Sequence, residues 1–139
     1  MPGVDSIEVV NRQIAEAAWS HGDWETVDRL VSEDYVTHGC FGEEGREEFK
    51  QRIAEFRTAF PDQQRTRDSL VVRDDKVVTC LTLTGSHLGV FRGIAPTGRR
   101  IKLTGIVIDR IVGGRRVESW VQYDMLGLLT QLGARLEPG

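Results

Sequence analysis

Residues 67–87, RDSLVVRDDKVVTCLTLTGSH, and residues 101–123, IKLTGIVIDRIVGGRRVESWVQY, decide the fold. In both, apolar and polar residues alternate with a period of two, the mark of strands with one buried face. Asp74–Asp75 interrupts the first run and Gly113–Gly114 the second, residue types that tolerate the tight turn of a hairpin. The pattern predicts four long strands in two hairpins: Arg67 to Arg73, Lys76 to His87, Ile101 to Val112 and Arg115 to Tyr123. Thr79, Leu81, Leu83, Gly85 and His87 share one face, as do Leu103, Gly105, Val107, Asp109 and Ile111, and again Val117, Ser119, Val121 and Tyr123. Glu118, Trp120, Gln122 and Asp124 take the other face unless a bulge exchanges the two sets locally.

Upstream, the period changes to that of helices. Ile7, Val10, Ile14, Ala17 and Ala18 form one stripe of a helix that runs from a cap at Asp5, with Glu8 three residues on, to Gly22. A second, short helix is expected from Asp23 to Val31, and a third from Gly45, where Phe49, Ile53, Phe56 and Phe60 recur until Pro61 stops it. Between them, Glu33 to Gly42 reads as an extended piece entering a loop. Helices followed by a long curled sheet make an α+β plan: a curled antiparallel β-sheet forming a cone-like half-barrel, with the N-terminal helices in its concave face and an apolar pocket between.

A chain of 139 residues with 40% hydrophobic content fits a single domain, 1–139. Its net charge of −3 and interleaved signs point away from nucleic acid, and the Arg99, Arg100, Lys102 cluster is small. No basic segment leads into an apolar run at the start, and no stretch is long enough to span a bilayer, so a cytoplasmic protein is expected. Cys40 and Cys80 read as unpaired thiols, and the three scattered histidines lack metal-ligand spacing. No glycine-rich loop follows a strand and opens a helix, so no nucleotide is indicated.

Several ordered motifs carry a resemblance: DYVTHG at Asp34 to Gly39, FPD at Phe60 to Asp62, GSHLGVFRG then PTGRR between Gly85 and Arg100, and the ESW, YD and QLG steps near the end. Together these resemble the SnoaL-like polyketide cyclases of the nuclear-transport-factor-2-like superfamily over nearly the whole chain. The resemblance implies a homodimer in contact through the outer sheet face. It also implies a cofactor-free aldol closure of the last ring of aromatic polyketides. In those cyclases an acidic side chain lies three residues before the position of Asp124, and a histidine three before that of Arg110; here these places hold Val121 and Val107. Valine moves no proton, so that mechanism does not transfer residue by residue. A second branch, proposed hydroxylases of anthracycline pathways, also lacks the cyclase acid. It implies a reductase partner and an electron-rich aromatic substrate that activates oxygen itself.

Among the remaining polar groups, His87 at a strand end is a candidate for proton transfer or else a histidine tied to backbone. Asp62, beyond the aromatic stripe, is either a general base with a raised pKa or a turn carboxylate. Asp124 either caps a short C-terminal helix or, turned inward by a bulge, supplies the acid; Asp109 is a weaker version of the same idea. The reading favours His87 and Asp124 as the proton-transferring pair, with Asp62 and His38 orienting the substrate. His38 and Tyr35 can hydrogen-bond a carbonyl, and Phe60, Leu83, Val107, Trp120, Val121 and Tyr123 are expected to line the pocket. The expected activity is ring closure or isomerisation of an apolar polycyclic molecule by acid/base catalysis. Oxygenation and a non-catalytic binding or dimerisation module are the alternatives.

Overall fold

The computed structural model describes residues 4–135. The apolar stripe seen in the sequence builds α1 (Val4–Ala15), which continues without a break into a π-helical segment, Glu16–His21. A π-turn is wider than an α-turn. It lets Ala17, Ala18 and Trp19, three consecutive residues, all face inward, where an α-helix would turn at least one outward. The carbonyl of Trp19 accepts hydrogen bonds from Arg57 Nη1 (2.6 Å) and Gln63 Nε2 (2.7 Å), so the irregular turn is satisfied by side chains. The cap expected between Asp5 and Glu8 lies outside the described side chains.

Asp23 caps α2 (Trp24–Leu30) by accepting from the Thr26 amide. The chain then enters β1 (Val31–Gly39) directly. Helix α3 (Arg46–Ala59) follows, its buried Phe49, Ile53 and Phe56 giving the expected stripe, and ends at Phe60 just before Pro61. Four strands follow: β2 (Gln64–Arg73), β3 (Lys76–Ser86), β4 (Arg100–Val112) and β5 (Arg115–Tyr123), then α4 (Met125–Gln131).

The sheet order is β1-β5-β4-β3-β2. The three hairpin-type pairings are antiparallel, but β1 runs parallel to β5, so the curled sheet is mixed rather than wholly antiparallel. The segment expected to enter a loop is therefore mostly an edge strand. Its partner is distant in sequence, and Gly39 lies against the Val121 carbonyl so closely that any Cβ would collide with it. The sheet is unclosed, and the helices fill its concave side, giving the α+β cone the alternation implied.

Strand facing follows the sequence pattern except in β5. Arg110 pairs with Glu118 but Ile111 with Arg116, leaving Val117 as the extra residue of a bulge. Arg116, not Val117, consequently turns inward and is buried. The bulge lies at the start of the strand, and Trp120 and Gln122 remain on the outer face. Among the described residues no helix is long and apolar enough to cross a membrane.

Candidate active site

Between the concave sheet and the α1–π segment lies a small, partly open cavity of about 30 Å³. Its apolar floor is Val107 and Val121, directly paired across β4 and β5. Both valines that the resemblance sets in place of a histidine and an acid therefore face the cavity. Trp19, Phe49 and Ile14 supply further wall, and the polar groups are Tyr35, Arg52, Arg65, Asp109, Arg116 and Tyr123. The wall is thus much more charged than an alternating strand pattern suggests.

These charges are organised. Arg116 Nε stands 3.2 Å from Asp109 Oδ1, and Arg116 Nη2 donates to Asn11 Oδ1 at 2.6 Å. Ser119 Oγ donates to the same Asp109 oxygen at 2.5 Å. Among the described residues, Asp109 Oδ2 carries no hydrogen bond. A buried ion pair is held together best when its remaining donors and acceptors are met; Asn11 and Ser119 meet part of that demand, while Arg116 Nε stays without a hydrogen bond. Arg52 pairs with Glu44 at 2.8 Å and lies over the Phe41 ring at 4.2 Å.

Tyr123 owes its place to Gly105, directly opposite it on β4: a Cβ there would strike the Tyr123 ring. Burial pushes the Tyr123 hydroxyl above its usual pKa, with Arg65 and Arg52 pulling the other way. Burial also raises Tyr35, against the opposing pull of Arg116. Both phenols therefore keep their protons and serve the cavity as hydrogen-bond donors at neutral pH. Burial lowers the pKa of Arg65, although a guanidinium remains charged under any ordinary condition.

Of the side chains singled out from the sequence, the structure brings Tyr35, Val107, Val121 and Tyr123 together at this cavity. The others lie elsewhere. His87 is fully buried against Phe60, with ring centroids 5.6 Å apart, and its Nδ1 accepts the Thr97 amide N–H at 3.1 Å. Since an amide only donates, that bond leaves the ring proton of neutral His87 on Nε2, which is buried without a partner. Phe60 and Leu83 are core residues outside the cavity wall.

Asp62 is largely exposed and accepts the Ser86 amide at 2.7 Å, with Arg100 at 3.6 Å. The Ser86 bond, aided by Arg100, holds its carboxyl below the usual range, opposite in direction to the raised pKa expected of a base. Asp124 caps α4 by accepting the Gly127 amide at 2.9 Å. It shares no bond with His87, so the expected proton-transferring pair is not assembled. His38 and Trp120 meet on the outer face, 5.7 Å between ring centroids, where His38 Nε2 lies 2.8 Å from Glu118. That contact lowers the Glu118 pKa, with Arg110 adding to it.

Arg65 and Arg116 are site residues that the sequence pattern did not announce. The signal for Arg65 was its two-residue spacing from Arg67 along an earlier-starting strand, and that for Arg116 depended on the bulge. Among the described residues no three His, Cys, Asp or Glu side chains gather into a metal-holding group.

A half-open cone of sheet wrapped around helices, with a polar cavity at its centre, is the architecture of the nuclear-transport-factor-2-like class. The profile of the SnoaL-like polyketide cyclases matches residues 9–132, and the chain belongs to that family. It is 29% identical over 123 residues to the nogalonic acid methyl ester cyclase of Streptomyces nogalater, covering 84% of this chain and 90% of that protein. Among solved structures it resembles AclR of Streptomyces galilaeus, a proposed hydroxylase, with a TM-score of 0.86 and 26% identity over 99% of this chain and 87% of that one. IdmH of Streptomyces antibioticus, a proposed polyketide cyclase, gives a TM-score of 0.79 and 30% identity over 92% of this chain and 99% of its own.

Proposed function

We propose that the chain is a cyclase or isomerase of polyketide metabolism that works by general acid/base catalysis, without a cofactor, with its acid/base groups on the wall of the cavity beneath the π-helical segment. The observation that supports this most is the convergence of one carboxylate, Asp109, and two protonated phenols, Tyr35 and Tyr123, on the valine floor. Asp109 Oδ2 takes a proton from a substrate carbon, and the enolate carbon attacks a carbonyl carbon of the same molecule to form the new C–C bond. Tyr123 gives its proton to the oxygen that would become an alkoxide. The proton on Asp109 returns through solvent to the Tyr123 phenolate, so the reaction is redox-neutral. A carboxylate is a mild base, so the attacked C–H must be acidified by flanking carbonyls. In this reading His87, Asp62, Asp124 and His38 hold the fold around the site.

The test begins with nogalonic acid methyl ester, the compound that the Streptomyces nogalater relative is named for, and its free acid. Asp109→Asn and Tyr123→Phe are expected to lower kcat by about 10²- to 10⁴-fold, while His87→Ala and Asp62→Ala stay within a few-fold of wild type. The reverse pattern returns the acid/base role to His87 and overturns this assignment.

A second reading draws on Val107 and Val121 facing each other across the cavity floor: an aromatic substrate that activates oxygen, served by a reductase partner, needs little acid/base help there. Incorporation of labelled molecular oxygen into product selects it, and its absence during turnover selects ring closure. We further propose that the chain acts as a homodimer joined through the outer sheet face.

A further inference from the structure

The cations around the cavity are not equivalent. Arg52 has Glu44 at 2.8 Å, Arg116 has Asp109 at 3.2 Å, and Arg67 has Glu8 at 4.0 Å. Arg65 has no carboxylate within ion-pair distance among the described residues. Its guanidinium lies 5.7 Å from the Trp19 ring, and its Nε is sealed from solvent with no hydrogen-bond partner. Arg65 is half-buried, open to the groove on one side but with its Nε sealed from water, and a partly desolvated cation without a carboxylate beside a cavity leaves a place for an anion. Asp109, although beyond ion-pair distance, offsets part of the Arg65 charge, while Arg116 and Arg67 add positive potential at the same place.

Position strengthens the case. Arg65 is wall to the inner cavity of about 30 Å³ and also to an outer groove of about 620 Å³ lined by Ser20, Arg57 and Gln64. The inner cavity alone has room for about one water, whereas the groove has the volume of an ordinary ligand site. The residue common to both linings is Arg65.

We infer that the site takes an aromatic carboxylic acid, with its carboxylate held by the Arg65 guanidinium at the junction of groove and cavity. This rests on the cavity being the substrate site, as proposed above. A guanidinium binds a carboxylate through two parallel N–H donors, and a neutral ester or amide forfeits the charge assistance.

The experiment titrates the full chain with 2-naphthoate and, separately, with 2-naphthamide in a calorimeter. Wild type is expected to bind the acid at least tenfold more tightly than the amide, with the preference shrinking at high salt. Arg65→Met is expected to lose the preference and, without ligand, to melt at a higher temperature, which the loss of a merely structural arginine would not produce. Arg65→Gln provides the same comparison should the methionine variant fail to fold. Equal affinities, no binding of the acid, or a preference that survives in both variants overturns the inference. The readout is equilibrium binding, so loss of ring-closure turnover in the Asp109 variant leaves it untouched, and failure here leaves the acid/base proposal standing.

Discussion

Tyr35 and Tyr123, the chain's two tyrosines, both reach the cavity and are both shifted in the same direction. Burial makes the phenolate expensive, so each pKa in the folded protein lies above its ordinary value of 10.0. For a group raised in this way, the native state holds a proton that the unfolded chain has already released. Their stabilising contribution is therefore complete below pH 10 and declines as pH rises toward the folded-state values. Alkaline titration followed by phenolate absorbance and by circular dichroism should show the two signals changing together, above pH 10. Phenolate absorbance growing in a protein that keeps its native dichroism would mean that at least one hydroxyl is solvated, and Tyr123 would lose its claim to be a protonated donor at working pH.

At the scale of elements, α4 starts where β5 ends, and Asp124 is the joint: its side chain accepts the Gly127 amide and its own N–H donates to the Thr104 carbonyl. Asp124→Ala is expected to cost about 1 kcal/mol, the usual worth of an N-cap, read from the urea midpoint at constant slope. Asp124→Asn should recover most of it, and ring-closure activity should be unchanged in both. A large fall in kcat with unaltered stability would make Asp124 a catalytic group instead. The joint was legible in sequence as an acidic residue before MLGLLTQLG, and so were β3, β4 and β5, because Gly and Asp turns bracket strict alternation. Strand β1 was not, since its parallel partner lies at the far end of the chain and local pattern carries no record of it. The π segment was hidden for a similar reason: the stripe through Ala18 looks the same whether or not the helix widens to admit Trp19. Arg65 escaped because Gln64 to Thr66 lacks the apolar alternation that announces a strand, and Arg116 because one bulged residue, Val117, reverses the facing that a period of two assigns. Apolar pattern reveals which face of a strand is buried; which charged side chains fold into that face depends on register and on neighbours it never touches in sequence.

Among the described residues, one sheet face has no covering layer. Helices α1 and α3 fill the concave side, and the convex side exposes Ile106, 52% accessible although it sits on β4 near the middle of the sheet between Cys80 and Gln122. Val78, Ile108 and Trp120 lie half-buried on the same face. A two-fold pairing of such faces places each copy's Ile106 region against its equivalent, burying apolar area in a self-complementary contact. A stable interface of this kind removes about 1,600 Å² from water, which a five-stranded sheet face shared by two chains can supply. Sedimentation equilibrium at micromolar concentration is expected to give twice the 15.6 kDa chain mass. Ile106→Glu should return the single-chain mass without loss of native dichroism, because the substitution puts a charge on a surface that is accessible in the single chain but desolvated in the pair. A wild-type species at 15.6 kDa under these conditions would count against the dimer. It would leave the cavity chemistry unaffected, since every group assigned to it lies on the opposite side of the sheet or on the elements packed against that side.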